Sequence, residues 1–314
     1  MELKEFVMEI AKGIEARLEG VKVTPTETMK NNGVIQNGVS FRKDDEKISP
    51  VLYLDLWFKK FNKGELTLPD VVKRVISDFQ ELPPHNIPDF EEWISDVDLL
   101  DKISVHLVNK KANERMIATR KLVSYEIPET DLIALFYLKV IVDDESVGET
   151  AVNEFVMKEY FPDIADAKEL FDEALSRIKA EDVKLETMQD VISRLVADVA
   201  EEVPELPSGS EEMLVLTNNK MLFGPAVIFS EVARRMILEK IPNGNVTVLP
   251  SSVHELILIA TSENENVAEL REMVLQVNET EVSKPEVLSN NVYHYDANTG
   301  KFEMVSWDCD EVEE

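Results

Sequence analysis

A single cysteine, Cys309, stands in 314 residues. It excludes an intrachain disulfide and any cysteine-rich zinc site, and it fits a reducing compartment. Histidine is scarce too. His85, His106, His254 and His294 are scattered, and none has the HExxH spacing of a helical metal site. Long apolar runs are missing. The longest, at residues 132–142 and 256–260, are far too short to span a bilayer. The opening Met1-Glu2-Leu3-Lys4-Glu5-Phe6 carries early acids in an amphipathic pattern, unlike a signal peptide. A cytoplasmic protein without membrane contact is expected.

Positive charge is also in short supply. There are 33 Lys and Arg against 62 Asp and Glu, a net charge of -29. The basic residues occur at most as adjacent pairs, such as Lys110-Lys111 and Arg234-Arg235. No basic stripe forms, and the total disfavours direct binding to nucleic acid or an anionic surface. Glycine-rich loops are absent: Leu222-Phe223-Gly224-Pro225 has one glycine and no GK[ST] after it, so it is no phosphate loop. No cofactor signature emerges.

What is present is enough for a core. The chain is 44% hydrophobic, which separates its acidity from that of a disordered chain. Leu3, Phe6, Val7, Ile10, Ala11, Ile14 and Leu18 recur at helical spacing. A strand at residues 21–24 and a hairpin at 32–41 follow, with Asn37-Gly38 as its turn. An aromatic helical stretch with Tyr53, Trp57, Phe58 and Phe61 precedes a helix capped by Thr67, with Pro69 and Asp70 in its first turn. Pro83-Pro84-His85-Asn86-Ile87-Pro88 breaks the pattern, with short helical pieces around Trp93 beyond it.

Strands are expected at 103–109, 121–127 and 132–142, the last apolar enough for a central strand. A helix at 164–178 capped by Asp163 and another at 188–199 lead to an acidic linker at 201–210. Strands at 213–216 and 226–229, a helix at 231–240, and strands at 246–249 and 253–260 come next. Ser262 and Glu265 read as a capping box for a helix to about Val277. Strands at 292–295 and 302–307 end the pattern. This irregular mixture predicts an α+β fold with mixed, largely antiparallel sheets, packed helices and two subdomains. In segments, residues 1–84 form an N-terminal α+β unit, 85–200 a central α+β region, 201–212 an acidic linker and 213–314 a C-terminal α+β region.

The densest polar constellation is Leu249-Pro250-Ser251-Ser252-Val253-His254-Glu255. Read as chemistry, it offers a nucleophile and a base. Read as structure, it is a turn whose serines bond to backbone amides. If residues 253–260 are extended, His254 and Glu255 point to opposite faces, whereas Ser252 and His254 share one. The catalytic candidates are therefore Ser252, His254 and Glu255, short of the third group and oxyanion hole that a Ser–His pair needs. Ser251, Ser252, His254, Glu255, Asn218, Gly224, Asn32 and Tyr53 are the binding candidates. Asn31-Asn32-Gly33 and Gly224 also fit simple turns. Acidic clusters at Asp44-Asp45-Glu46, Asp143-Asp144-Glu145 and Asp308-Cys309-Asp310 lack the calcium-loop pattern, and no metal site is assigned.

Several of these segments occur in a telling order: Asn31-Asn32-Gly33-Val34, Ser49-Pro50-Val51-Leu52-Tyr53-Leu54-Asp55, Val215-Leu216-Thr217-Asn218, Gly224 with Ala226, the stretch from Leu249 to Glu255, and Leu288-Ser289-Asn290-Asn291-Val292-Tyr293. In that order they resemble DUF5688, an uncharacterised family of clostridia and other Firmicutes often found near mobile elements. The resemblance implies a bacterial cytoplasmic setting. It brings no activity, cofactor or catalytic residue. Pro225 stands where the family pattern is expected to have Ala.

The functional expectation is a non-enzymatic protein-binding or regulatory module with a basic protein partner. The alternatives are a hydrolase or transferase centred on residues 250–255, with Glu255 or Asn218 assisting Ser252 and His254; an acidic nucleic-acid mimic that occupies a DNA-binding protein; and a structural component of a larger assembly.

Overall fold

The computed structural model describes residues 1–43, 49–82, 98–141, 147–197, 212–262 and 265–306. The chain is α+β, with nine helices and three mostly antiparallel sheets among those residues. It divides into two compact units, Met1–Asp89 with Ile141–Ser146, and Phe90–Val140 with Val147–Glu314.

In the first unit, helix α1 (Leu3–Glu15) buries Phe6, Val7, Ile10, Ala11 and Ile14 on one face. Each large side chain so buried contributes roughly 1.5–3 kcal/mol. That face packs with α2 (Asp55–Asn62) and α3 (Leu68–Gln80) around one apolar cluster. Thr67 caps α3 as expected, and Asp70 completes a capping box through the Thr67 N–H, 3.0 Å away. The sheet runs β1 (Val21–Met29), β2 (Ile35–Lys43), β3 (Val51–Tyr53). Pro25 lies in β1, at the sheet's edge, where a missing N–H is tolerated.

The hairpin turn differs from the expected one. The β1–β2 register pairs Met29 with Ile35, so the turn is made by Asn31–Gly33, with Asn32 at φ 57° and Gly33 at φ 66°. Asn37 and Gly38 lie inside β2. Asn37 is buried, and its N–H donates to Asp55 Oδ2 at 2.9 Å. Gly38 is there for closeness: a Cβ on it would lie 2.4 Å from the Leu52 carbonyl oxygen on β3.

The second unit carries two sheets. One holds β4 (Ile103–Asn109), β6 (Leu132–Ile141) and β5 (Ser124–Glu126), with β7 (Val147–Ala151) also on β6. The other has six antiparallel strands in the order β13-β12-β10-β11-β9-β8. These are β8 (Val183–Thr187), β9 (Leu214–Asn218), β10 (Asn245–Pro250), β11 (Leu256–Ala260), β12 (Tyr293–Asp296) and β13 (Lys301–Met304). Helices α4 (Lys110–Arg120), α5 (Glu154–Tyr160), α6 (Ala167–Ser176), α7 (Met188–Ala197), α8 (Glu231–Lys240) and α9 (Val267–Thr280) complete the unit. A large apolar cluster joins both sheets with α6, α8 and the 3-10 turn Pro225–Phe229.

Several expected elements shift. Residues 226–229 form that 3-10 turn, not a strand: Pro225 starts it and Ser230 caps α8 directly behind it. The strand expected from 253 begins only at Leu256, because residues 251–255 bend back on themselves through Ser252 N–H to Glu255 O. Asp166, not Asp163, caps α6 through the Glu169 N–H. Asn266, not Ser262, caps α9, while Glu265 accepts a hydrogen bond from the buried Thr247. The Pro83–Pro88 break, the region of Trp93, the acidic linker at 201–210, the three acidic clusters and Trp307 lie outside the described residues.

A carboxylate knot ties the second unit together. Asp131 Oδ2 accepts from Asn109 Nδ2 at 2.8 Å, Ser289 Oγ at 2.9 Å and Asn291 Nδ2 at 3.1 Å, and Oδ1 accepts from the buried Tyr293 hydroxyl. Neutral donors spread over the carboxylate in place of a cation. Burial, with the Asp131 carboxylate next to it, holds the Tyr293 phenol well above its ordinary value of 10.0. The Ser289-Asn290-Asn291-Val292-Tyr293 segment is therefore a structural clamp. Asn290 takes part through its Oδ1, which accepts from the buried Asn278.

Candidate functional site: a scaffolded loop between two histidines

The site lies in the second unit, where β9 ends and the chain turns through residues 219–224. Asn218 builds the turn. Its Oδ1 accepts from Lys220 N at 3.0 Å and Leu222 N at 3.2 Å, and its Nδ2 donates to Leu222 O at 2.6 Å. The expected ligand-facing amide is thus spent on the loop itself. Met221 and Phe223 both adopt left-handed backbone, at φ 54° and 52°. Two such residues in three positions, neither a glycine, are a local cost of about 1–2 kcal/mol each.

The loop is held open by contacts from residues 250–255. Phe223 N–H donates to His254 Nδ1 at 3.2 Å. Gly224 N–H donates to His254 O at 3.1 Å, and Thr217 Oγ1 donates to the same oxygen at 2.6 Å. Gly224 itself has ordinary backbone, φ -74°, but no room for a side chain. An added Cβ would lie 2.2 Å from Thr217 Oγ1, 2.6 Å from Asn218 N and 2.7 Å from His254 O. Two backbone atoms and a hydroxyl crowd that position.

A ring stack continues inward. Phe223 lies on His106, with centroids 3.9 Å apart and planes within 6°. His106 in turn stacks on Tyr137 at 4.2 Å. The sheet register explains this: His106 faces Leu135 on β6, so Tyr137 is its diagonal neighbour on the same face. Ser104, two residues before His106 and on the same face, brings its hydroxyl to His106 Nε2 at 3.1 Å. Glu149 Oε2 is 3.2 Å from the same nitrogen. Burial pushes the His106 imidazole below its ordinary value of 6.5, so at neutral pH it is uncharged. Burial, the largest single influence, would raise Glu149, but His106, Lys139 and the Ser104 hydroxyl together outweigh it and hold that carboxyl below its ordinary 4.5.

The remaining polar groups of the turn are spent locally. Ser252 Oγ accepts from His254 N–H at 3.0 Å, and Ser251 Oγ donates to Glu255 Oε1 at 3.3 Å. Because His254 Nδ1 accepts from Phe223, the neutral ring carries its proton on Nε2, which faces Glu286 Oε1 at 3.9 Å. That arrangement gives Ser252 a backbone partner in place of a base. Asn218, Gly224 and His254 meet in this site, with Ser251, Ser252 and Glu255 in the adjoining turn. Asn32 and Tyr53 belong to the first unit: Asn32 forms the hairpin turn, and Lys30 Nζ stands 4.6 Å over the Tyr53 ring. His106, Tyr137, Glu149, Thr217 and Phe223 are not among the site candidates read from the sequence, although Thr217 and Phe223 lie in segments that it marks. The one signal for them is the pair Ser104 and His106 at alternate positions of an otherwise apolar strand.

Two large apolar side chains complete the loop and face solvent. Leu222 is 58% exposed and Met221 49%. Among the described residues no group of three His, Cys, Asp or Glu stands close enough to hold a metal ion, and no helix is long and apolar enough to cross a membrane.

A family model, a family of unknown function, matches residues 3–297. The chain belongs to DUF5688. No curated protein and no solved structure matches it. The residue order that resembles DUF5688 corresponds to three structural devices in this member: the Asn31–Gly33 turn, the loop held by Asn218, Gly224 and His254, and the clamp around Asp131.

Proposed function

We propose that this DUF5688 protein is a non-enzymatic binding module that presents residues 219–223 as a fixed contact loop to a basic protein partner. The observation that carries this reading is the use of the turn's polar groups. Asn218, Thr217, Ser252 and His254 are engaged in holding the loop, while Leu222 is exposed to water and Met221 is half exposed, its sulfur resting against Lys184 and Arg194. Strained backbone of this kind persists where the surrounding structure enforces it, and it accumulates at functional sites. A rigid apolar tip loses little entropy on docking, which is how a few residues come to dominate an interface. The net charge of -29 supplies long-range attraction to a basic partner and accelerates encounter at low salt.

The test is affinity capture from a bacterial lysate with wild-type protein and with a Met221→Ser, Leu222→Ser double variant. The reading expects at least one partner held by the wild type and lost from the double variant, with slower association at high salt. Equal capture by both proteins would remove the loop from the function.

A further inference from the structure

A second feature of the same unit bears on what the partner offers. An aromatic cleft of about 300 Å³ is lined by Tyr125, Phe171, Phe229 and Phe302, with Glu129 and Lys301 among its other walls. Phe171 and Phe302 are buried and form its floor; Tyr125 and Phe229 are half-buried. The rings are fixed by one another: Phe229 meets Phe171 and Phe302 edge-on at 5.6 and 5.2 Å, and Tyr125 lies 4.9 Å from Phe171. An open, ring-lined cleft of this size is larger than a packing defect and small for a drug-sized ligand.

The charge beside it is unbalanced. Lys301 Nζ sits 2.5 Å from Glu303 Oε2 but 3.4 Å from Glu129 Oε2. One ammonium thus serves two carboxylates, and Glu129 is the less committed, with its side chain 62% exposed. Its backbone is pinned in a left-handed conformation, φ 57°, by Met304 N–H donating to Glu129 O at 2.9 Å. Rings lining a cleft beside two carboxylates that share one ammonium are complementary to a planar cation. A guanidinium stacks on aromatic faces and pairs with a carboxylate through two parallel N–H groups, which an ammonium cannot do.

The geometry points to this cleft as the receptor for an arginine side chain of the partner. The inference rests on the proposed binding role, and it names the chemistry of one anchor on the other side.

The experiment is a titration of the full chain with N-acetyl-argininamide, followed by NMR, with N-acetyl-lysinamide and N-acetyl-leucinamide as parallel probes. Shifts should centre on Tyr125, Phe229 and Glu129. The arginine probe should bind at least about fivefold more tightly than either of the others. Glu129→Gln and Phe229→Leu should each weaken it about fivefold, while Met221→Ser, Leu222→Ser should leave it unchanged. Should Phe229→Leu fail to fold, Glu129→Gln alone decides, because its side chain is exposed. No shift at the cleft, or equal binding of the leucine probe, would overturn the assignment. Loss of partner capture in the loop variant together with a silent cleft would leave the binding role standing and refute only the arginine site.

Discussion

Replacing Gly224 with alanine should cost far more than its ordinary backbone angles suggest. The new methyl would lie 2.2 Å from Thr217 Oγ1 and 2.6 Å from Asn218 N, and the His254 carbonyl blocks the remaining side at 2.7 Å. Two of those three neighbours are backbone atoms and cannot rotate away. Relief requires moving Thr217, which breaks its 2.6 Å bond to His254 O. Overpacking of this kind costs about 1–3 kcal/mol, and the lost part-buried hydrogen bond about 1 kcal/mol more. The sum, about 2–4 kcal/mol, is a large part of the stability of a typical domain. Urea unfolding followed by circular dichroism should show the midpoint lowered by about 1 M or more. Gly300→Ala is the control in the same unit. Gly300 has φ 78° and nothing within 4 Å of an added Cβ, so only the backbone cost of about 1 kcal/mol applies. A Gly224→Ala protein no less stable than Gly300→Ala would refute the claim that two chain segments, Thr217-Asn218 and His254, close on this glycine.

Other consequences follow from the same contacts. His106 is held neutral by burial, so the unfolded chain binds its proton more readily; stability should fall as pH drops below about 6.5 and continue to fall toward the depressed folded value. Glu149, also lowered, adds loss in the same direction below about 4.5. Lys139 is a further charge that opposes protonation of His106. A His106→Phe variant should lose the part of the acid slope between pH 6.5 and 5 that His106 supplies, as urea midpoints across that range will show. Asp131→Asn replaces an oxygen that accepts three hydrogen bonds with either a lone carbonyl or a second donor, and should cost about 3 kcal/mol in the same assay. Thr67→Ala removes the cap of α3 and should cost about 1 kcal/mol, read as a small drop in melting temperature.

The elements legible from sequence were those whose pattern is local. The stripe of α1, the Thr67 cap, the strand β4 and the apolar β6 depend on residues a few positions apart, and the expected residues occupy those elements, except that Leu18 lies beyond the end of α1. The hairpin turn was misplaced because Asn37-Gly38 and Asn31-Asn32-Gly33 satisfy the same turn chemistry. What separates them is the fit of Gly38 against Leu52 on β3, a contact that no local pattern reports. The caps at Asp163 and Ser262 failed similarly, since Asp166 and Asn266 serve as well in composition and the helices start later. The turn at residues 250–255 stood out by its density of polar side chains. Its use did not, because that depends on Phe223 and Gly224 arriving from the loop after β9, and on His106 from the other sheet.

The central claim is that residues 219–223 form the contact surface. A photo-crosslinking amino acid placed at Leu222, with the same group at the exposed Phe155 as reference, tests it in cells or in lysate. The account predicts one discrete adduct from position 222, weakened by salt and absent from position 155. No adduct at 222, or the same pattern from both positions, would contradict it.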